Sequence, residues 1–433
     1  MLLAMALAAP AFGGRMIDSG GLPATPSARE PDSAADAAEP ADAGMVGEAE
    51  NEPAKDPDME PERAEDADAD LTAAPTPTAP APRWRFSQSY SFSASYDDNI
   101  YIGSLQKVGD EIFQLGANFR LIWGDYLDKK ESFLSIHYAP SYLVFADHRN
   151  QNGFEQTGEL AGQWRIAKLT LGAQAHVVSL SGADADVGQR TNRTNYDLAL
   201  SAKYDYGEKT SIETDLGRSA SDYRAYLSST EWVNQNWIDY QLFPKTKIGA
   251  GLTLGYLEPQ SGDTQTYQQA LVRFATPLRA KLSATGSGGI EFRQFGGAAG
   301  AQIQPIFRLG VNYLPFDGTQ IGVDASRVTY SSAAQVGQNY TATGVSVSVR
   351  QRLFQRFSAS IAGGYESTKY EGTDAASATS RHDEYLFLRP AVSFAVMKRL
   401  NLELYYQFRR NTSTLALSSF DDNVFGLQAT VGF

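Results

Sequence analysis

The chain ends on a β-strand with one apolar face and a terminal aromatic. From Phe425 the apolar side chains fall on every second position (Phe425, Leu427, Ala429, Val431, Phe433), while Gln428, Thr430 and Gly432 take the other face. A last strand of this kind would offer an open, greasy edge to any partner in a soluble domain. A closed barrel removes that edge, because the first strand can pair with the last. The ending therefore predicts a sheet that closes on itself with its apolar face outward.

The same two-residue period runs back through most of the chain. Trp84, Phe86, Tyr90, Phe92, Ala94 and Tyr96 alternate with Arg85, Ser87, Ser89, Ser91, Ser93 and Ser95. Leu115, Ala117, Phe119, Leu121 and Trp123 follow, then Leu134 to Val144 and Leu160 to Ile166. Further segments are expected at 169–177, 196–206, 212–220, 232–242, 248–256, 266–276, 282–292, 303–313, 321–329, 341–349, 357–365, 386–396, 400–408 and 420–433. The fold class predicted is all-β: a transmembrane, antiparallel, up-and-down barrel of about 18 strands (16–18), with one face toward lipid and one toward a polar lumen.

The connections fit that class. Tight links such as 167–168, 206–209, 244–246, 277–279, 315–318, 354–356 and 397–399 alternate with longer polar stretches such as 97–109, 182–192, 221–230, 331–338, 370–382 and 410–419. Strict short-long alternation predicts an even strand number, with both termini on one side. Aromatics at segment ends (Trp84, Trp123, Trp164, Tyr206) suit the two membrane interfaces.

Residues 1–83 are of another kind. They hold seventeen Asp and Glu against five Lys and Arg, a net of −12 out of the chain's −13, and almost no aromatic or β-branched residue. Residues 1–14 read as the apolar stretch of a secretory signal, with small residues at Ala9 and Ala11 and no positive n-region. Residues 15–83 cannot offset the entropy of ordering and read as a disordered, acidic, Ala/Pro-rich periplasmic linker. The barrel is expected over 84–433. The chain has no cysteine, which excludes disulfide scaffolds and thiolate metal sites. No basic patch suggests nucleic acid.

Parity places the charged strand residues mainly in the lumen. The candidate pore-lining set is Arg120, Glu159, Arg165, Asp197, Glu213, Asp239, Glu291, Arg293, Arg308, Asp324, Arg350, Arg389, Glu403 and Arg409. These residues could set ion or sugar selectivity, or pair across strands and stiffen the wall; the two roles are compatible. His137 and His176 point the same way, while His148 and His382 fall in loops. Four scattered histidines make neither a triad nor a zinc site, so no enzyme and no catalytic residue is expected.

Two motifs carry resemblances. The terminal Phe433, with Phe425, Leu427 and Val431 before it, resembles the C-terminal signal that the outer-membrane barrel assembly machinery reads. The turn Tyr96-Asp97-Asp98-Asn99-Ile100-Tyr101 at the end of the first strand resembles the second β-barrel porin family of bacterial outer-membrane proteins, and is similar to barrels that accompany exopolysaccharide loci. The resemblance covers roughly 84–433. It implies the outer membrane of a Gram-negative cell, with lipid and lipopolysaccharide as surroundings, but supplies no substrate; the acidic linker departs from it. The leading expectation is a channel for passive diffusion of small hydrophilic solutes. The alternative is a non-conducting accessory barrel in exopolysaccharide export, with residues 16–83 docking a periplasmic partner. Nothing in the sequence fixes an oligomeric state.

The Asp-Asp-Asn element recurs as Phe420-Asp421-Asp422-Asn423-Val424-Phe425. First and last strands are neighbours in a closed barrel, so Asp97, Asp98, Asp421 and Asp422 are expected to meet at the seam, with Asn99 and Asn423. Ca²⁺, or a cation bridging to lipid, is one reading of such an oxygen cluster. The other is strand termination through local side-chain-to-backbone hydrogen bonds. No other cofactor is expected.

Overall fold

A computed structural model describes residues 84–124, 132–279, 281–296, 300–372 and 381–433. The expected secretory stretch (1–14) and linker (15–83) lie outside the described residues.

Eighteen antiparallel strands form one sheet that closes on itself. In chain order they are β1 (Trp84–Asp97), β2 (Asp110–Gly124), β3 (Phe133–Phe145), β4 (Gly153–Ile166), β5 (Leu169–Asp184), β6 (Gln189–Asp205), β7 (Thr210–Tyr223), β8 (Ser229–Phe243) and β9 (Thr246–Pro259). They continue with β10 (Gln265–Arg279), β11 (Leu282–Phe295), β12 (Ala301–Tyr313), β13 (Thr319–Ser331), β14 (Gln338–Arg352), β15 (Phe357–Gly372), β16 (His382–Ala395), β17 (Leu400–Ser413) and β18 (Phe420–Gly432). Closure comes from β1, which pairs with β2 on one side and with β18 on the other, from Ser89↔Gly432 to Asp97↔Val424. Strand spacing of about 4.8 Å and a tilt of about 40° make such a ring roughly 35 Å across, backbone to backbone.

The register sorts side chains as the alternation requires. Trp84, Phe86, Tyr90 and Phe92 of β1 stand opposite Trp123, Leu121, Ala117 and Leu115 of β2, all on the outer face. The outer wall is a largely apolar band bounded by aromatics. Trp84, Trp123, Trp164 and Tyr204 ring the end that carries Phe433; Tyr96, Tyr142, Tyr196, Trp232 and Tyr256 ring the other, here called the loop end. Such a band with two aromatic girdles is what a membrane-spanning barrel presents to lipid.

Every strand lies where the alternation put it, but many run further at the loop end. The fourth extends from Gly153 rather than Leu160, the fifth to Asp184 and the fifteenth to Gly372. The loop-end links are correspondingly shorter than expected; that between β5 and β6 is only 185–188. Beyond the membrane band both faces of a strand meet polar surroundings, so the backbone ladder continues after the hydrophobic alternation has stopped.

The two buried apolar clusters sit at the loop end. Ile102, Ala183, Ala185, Tyr385 and Phe420 form one cluster, and Tyr340, Ala342 and Tyr370 another. The second marks a departure from a plain cylinder. β12 and β13 stay paired only from Tyr313↔Ile321 to Phe307↔Arg327, whereas β13, β14 and β15 remain paired up to Ser331↔Asn339 and Gln338↔Gly372. Above Arg327 the sheet parts between β12 and β13 and the three strands bend into the barrel, with β15 still paired to β16 up to Lys369↔His382. Their formerly outward face meets the inner wall: Asn339 and Gln265 exchange side-chain amide hydrogen bonds of 2.8 and 3.1 Å, and Thr341 Oγ1 donates to Gln304 at 3.0 Å.

Candidate functional site in the barrel lumen

The wall is built from rows of inward side chains, one strand after another. Arg120, His137, Glu159, His176 and Asp197 are register partners in succession across β2 to β6. Imidazoles and carboxylates alternate along this row: His137 Nδ1 lies 3.9 Å from Glu159 and His176 Nδ1 lies 3.6 Å from Asp197. Asn118 contacts His137 Nε2 at 2.9 Å, and Ser219 donates to Asp197 at 2.8 Å.

The next arc centres on Arg273 of β10. Its Nε donates to Asp239 at 2.8 Å and its Nη2 to Glu213 at 2.5 Å, with a further contact to Asp239, and its plane lies 4.3 Å above the Trp237 ring. β9 makes room for this group. A side chain at Gly251 would collide with the Trp237 ring, and one at Gly255 with Tyr267, so bare backbone there lets the rings lie flat against the wall.

Higher up, Glu291 and Arg293 pair at 2.8 Å, both nearly sealed from water. Arg293 also donates to Gln265 at 3.0 Å and stacks on Tyr267, whose hydroxyl donates to Glu231 at 2.7 Å. Arg389 pairs with Glu403 at 2.8 Å over Tyr405, Arg409 with Asp422 at 2.6 Å, and Arg165 approaches Asp205 at 4.0 Å. Arg308, Asp324 and Arg350 differ. They point inward from β12, β13 and β14, are exposed, and make no ion pair among the described residues.

The expected lumen residues thus divide into a paired majority, Arg120 without an ion pair among the described residues, and an exposed, unpaired group of three on one arc. Sequence reasoning did not single out Arg273, Trp237 or Glu231. Parity could have found Arg273, since Val272 and Phe274 beside it face outward.

Over this wall, hairpin ends meet near the axis. Asp186, in the β5–β6 link, accepts from Ser332 Oγ at 3.0 Å and from the Ala333 amide at 2.7 Å, both in the β13–β14 link. β5 and β13 are eight strands apart in a ring of eighteen, so this contact spans most of the lumen. Arg381 locks it. It donates to the Asp186 and Ala185 carbonyls at 2.6 and 2.8 Å, pairs with Asp383 through two nitrogens, and lies 4.4 Å over Tyr370. Asp184 binds the same tip to the wall through Arg193 at 2.7 Å and the Tyr223 hydroxyl at 3.0 Å. The three segments that meet here, 184–186, 332–333 and 381–383, are far apart in sequence, so no local signal announces the constriction.

The seam differs from its expectation for a reason of parity. Asp421 and Asp422 are consecutive strand residues and face opposite sides; only Asp97, Asp98 and Asp422 bring carboxylate oxygens within 4.8 Å of one another. Asp421 instead binds Lys107 at 2.6 Å, which also reaches Asp98 at 3.2 Å, while Arg409 holds Asp422. Two protein cations therefore stand where the charge of an ion would be needed. Asp98 accepts from the Asn423 backbone and side chain at 2.8 Å each, and Asn99 from the Gly103 amide at 2.8 Å. Burial raises the Asp98 carboxyl, but the bonds from Asn423 and Lys107 outweigh it and hold the group below the ordinary range.

The terminal residues Phe425, Leu427, Val431 and Phe433 stand on the outer face of β18, and Phe433 exchanges backbone hydrogen bonds with Gln88 of β1. The C-terminus thereby completes the seam.

No family model matches the chain, and no curated protein does. Among solved structures it is similar to OpdK of Pseudomonas aeruginosa, crystallised with vanillate, at 12% identity over 80% of this chain and 99% of that one, with a TM-score of 0.42. OccK11 (OpdR) of the same organism gives 12%, 80%, 96% and 0.41, and OccAB4 of Acinetobacter baumannii 10%, 80%, 98% and 0.42. Likeness at this level transfers no residue role, and the barrel rests on its own register and closure.

Proposed function

We propose that this barrel lies in the bacterial outer membrane, loop end outward, and passes small hydrophilic solutes through a lumen narrowed at its outer mouth. The observation that carries the reading is the inner wall itself. A membrane barrel sealed by side chains would fill its interior with apolar residues, whereas this one lines it with aligned Arg, His, Asp and Glu and leaves Arg308, Asp324 and Arg350 free on one arc. Paired charges keep the wall rigid and wet; free ones on a wet wall act on whatever crosses it. The solved porins of similar architecture, and the Asp-Asp-Asn turn that resembles the second β-barrel porin family, point the same way. The terminal Phe433 and its alternating neighbours serve in this reading as the handle for the barrel assembly machinery.

A second reading draws support from the constriction. Hairpin ends that meet over the axis also suit an accessory barrel of an exopolysaccharide system, closed until a periplasmic partner engages residues 16–83. Single-channel recording of the full chain in planar bilayers separates the two. Repeatable conductance steps with an ion preference that shifts on removing Arg308 and Arg350 are expected of the channel. Silence from folded, inserted protein would discard it in favour of the accessory role.

A further inference from the structure

The outer wall is apolar over most of its columns; Gln268 on β10 and Arg327 on β13 break it singly, Arg327 donating to the Pro305 carbonyl and to Thr343, while β7 and β8 carry a connected polar group. The lipid-facing positions of β9 read Ile248, Ala250, Leu252, Leu254, Tyr256, and those of β12 read Ile303, Pro305, Phe307, Leu309, Val311, Tyr313. β8 instead carries Asn236 and Asn234 between Ile238 and Trp232, and β7 carries Thr214. Asn236 stands directly opposite Leu252, the middle residue of the β9 run, so the amide lies at mid-height of the band. The three form a chain: Thr214 Oγ1 donates to Asn236 Oδ1 at 2.9 Å, Asn236 Nδ2 to Asn234 Oδ1 at 2.6 Å, and Asn234 Nδ2 to the Asp215 carbonyl at 3.1 Å.

Those bonds do not exhaust the amides. A primary amide has two N–H donors and two acceptor lone pairs, so Asn236, which is exposed, keeps one donor and one acceptor at its tip. In hydrocarbon no water satisfies them. One turn of the pattern higher, Arg218 also faces out, stacked 5.6 Å from Trp232 and beside Leu198. A lipid-facing arginine is costly in the depth of the band.

We infer that the β7–β8 face is an interface between two copies of this chain, with Asn236 near a two-fold axis along the membrane normal. The occupant follows from the chemistry. A spare donor beside a spare acceptor is complementary to itself, and copies inserted in one direction can relate by an axis normal to the membrane. Asn236 of each copy would then exchange amide hydrogen bonds with its counterpart, the arrangement that Gln265 and Asn339 already make inside this barrel. Leu216, Ile238, Leu252 and Leu254, all exposed, surround the amide with surface that packs against its own copy.

The absence of cysteine makes the test direct. The full chain carrying Asn236→Cys is oxidised in a lipid bilayer, with Val392→Cys, exposed on β16 far around the ring, as the reference for random collision. Cross-linked dimer at least ten times the Val392→Cys level is expected; parity between the two overturns the inference. Native mass measurement of the unmodified chain in mild detergent supplies the second reading. A dimer that dissociates when Asn234 and Asn236 are both changed to Leu is expected, because those changes suit lipid and remove the pair. A monomeric wild type, or an assembly unchanged in the folded double variant, overturns it.

Discussion

The two ends of this barrel follow different rules. At the end that carries Trp84 and Phe433, each strand alternates cleanly, links other than 125–132 are tight, and an arginine such as Arg273 holds its carboxylates within its own stretch of wall. At the loop end strands outrun their alternation, β13 parts from β12, and Arg381 holds together segments almost two hundred residues apart in the chain. The first half is a container fixed by local pattern and lipid. The second is a lid fixed by long-range polar contacts, so changes at the two ends should separate: one set alters the container, the other alters what it admits.

The largest effect is expected from removing the lid's centre. Replacing 332–337 with a two-residue Asn-Gly turn keeps β13 and β14 joined but deletes the Ser332 and Ala333 contacts to Asp186. Single-channel conductance should rise severalfold with little change in the temperature at which the barrel unfolds. A variant with unchanged conductance would show that the hairpin does not limit the path. Arg381→Ala attacks the same lid by another route. Asp383, nearly sealed from water, would lose its bidentate partner, and breaking such a buried pair costs about 3–5 kcal/mol. The expected readout is a lower urea midpoint together with noisier channel current.

The container gives the opposite signature. Arg273→Ala leaves Glu213 and Asp239 facing each other without their cation. Because both are partly open to the lumen, a loss of about 2–3 kcal/mol is expected, just below the range for fully buried pairs. It should appear in the unfolding midpoint while open-channel noise stays as in wild type. Arg308→Ala with Arg350→Ala tests the free arc. Exposed and unpaired, these residues should contribute less than about 0.5 kcal/mol to stability, yet their loss should move the reversal potential toward cation preference. A stability loss without a selectivity change would reassign them from the path to the wall.

The same division explains what the sequence could tell. Period-two alternation exists because lipid selects one face, so it located every strand core and put Arg120, Glu159, Asp197 and the other charged residues on the inner side of the register. It could not mark Gly153 to Gly158 or Glu366 to Gly372 as strand, since lipid no longer sorts those faces. Nor could it place Asp421 and Asp422 together: the period that aligned the two Asp-Asp-Asn elements also turns consecutive residues to opposite sides. The Asp186–Ser332 contact had no signature, because neither partner's neighbours differ from any polar turn. Arg218, Asn234 and Asn236 were visible as exceptions to the outer pattern, and register with β9 gave them a depth.

The smallest effect belongs to the seam, where container and lid meet. Lys107 bridges Asp98 and Asp421 while about a third exposed, so Lys107→Ala should cost less than about 1 kcal/mol. Its pH dependence is the sharper measure. The Asp98 carboxyl is held below its ordinary value when folded, so the unfolded chain binds its proton more readily. The stabilisation is therefore complete above the unfolded pKa, near 4, and is lost as pH falls through the lower folded value. Asp98→Asn should leave the unfolding midpoint at pH 7 slightly reduced and remove this part of the decline below pH 4. If the variant declined with acid as steeply as wild type, Asp98 would not carry the seam's acid response, and the boundary between the two halves would lie elsewhere than at Asp98.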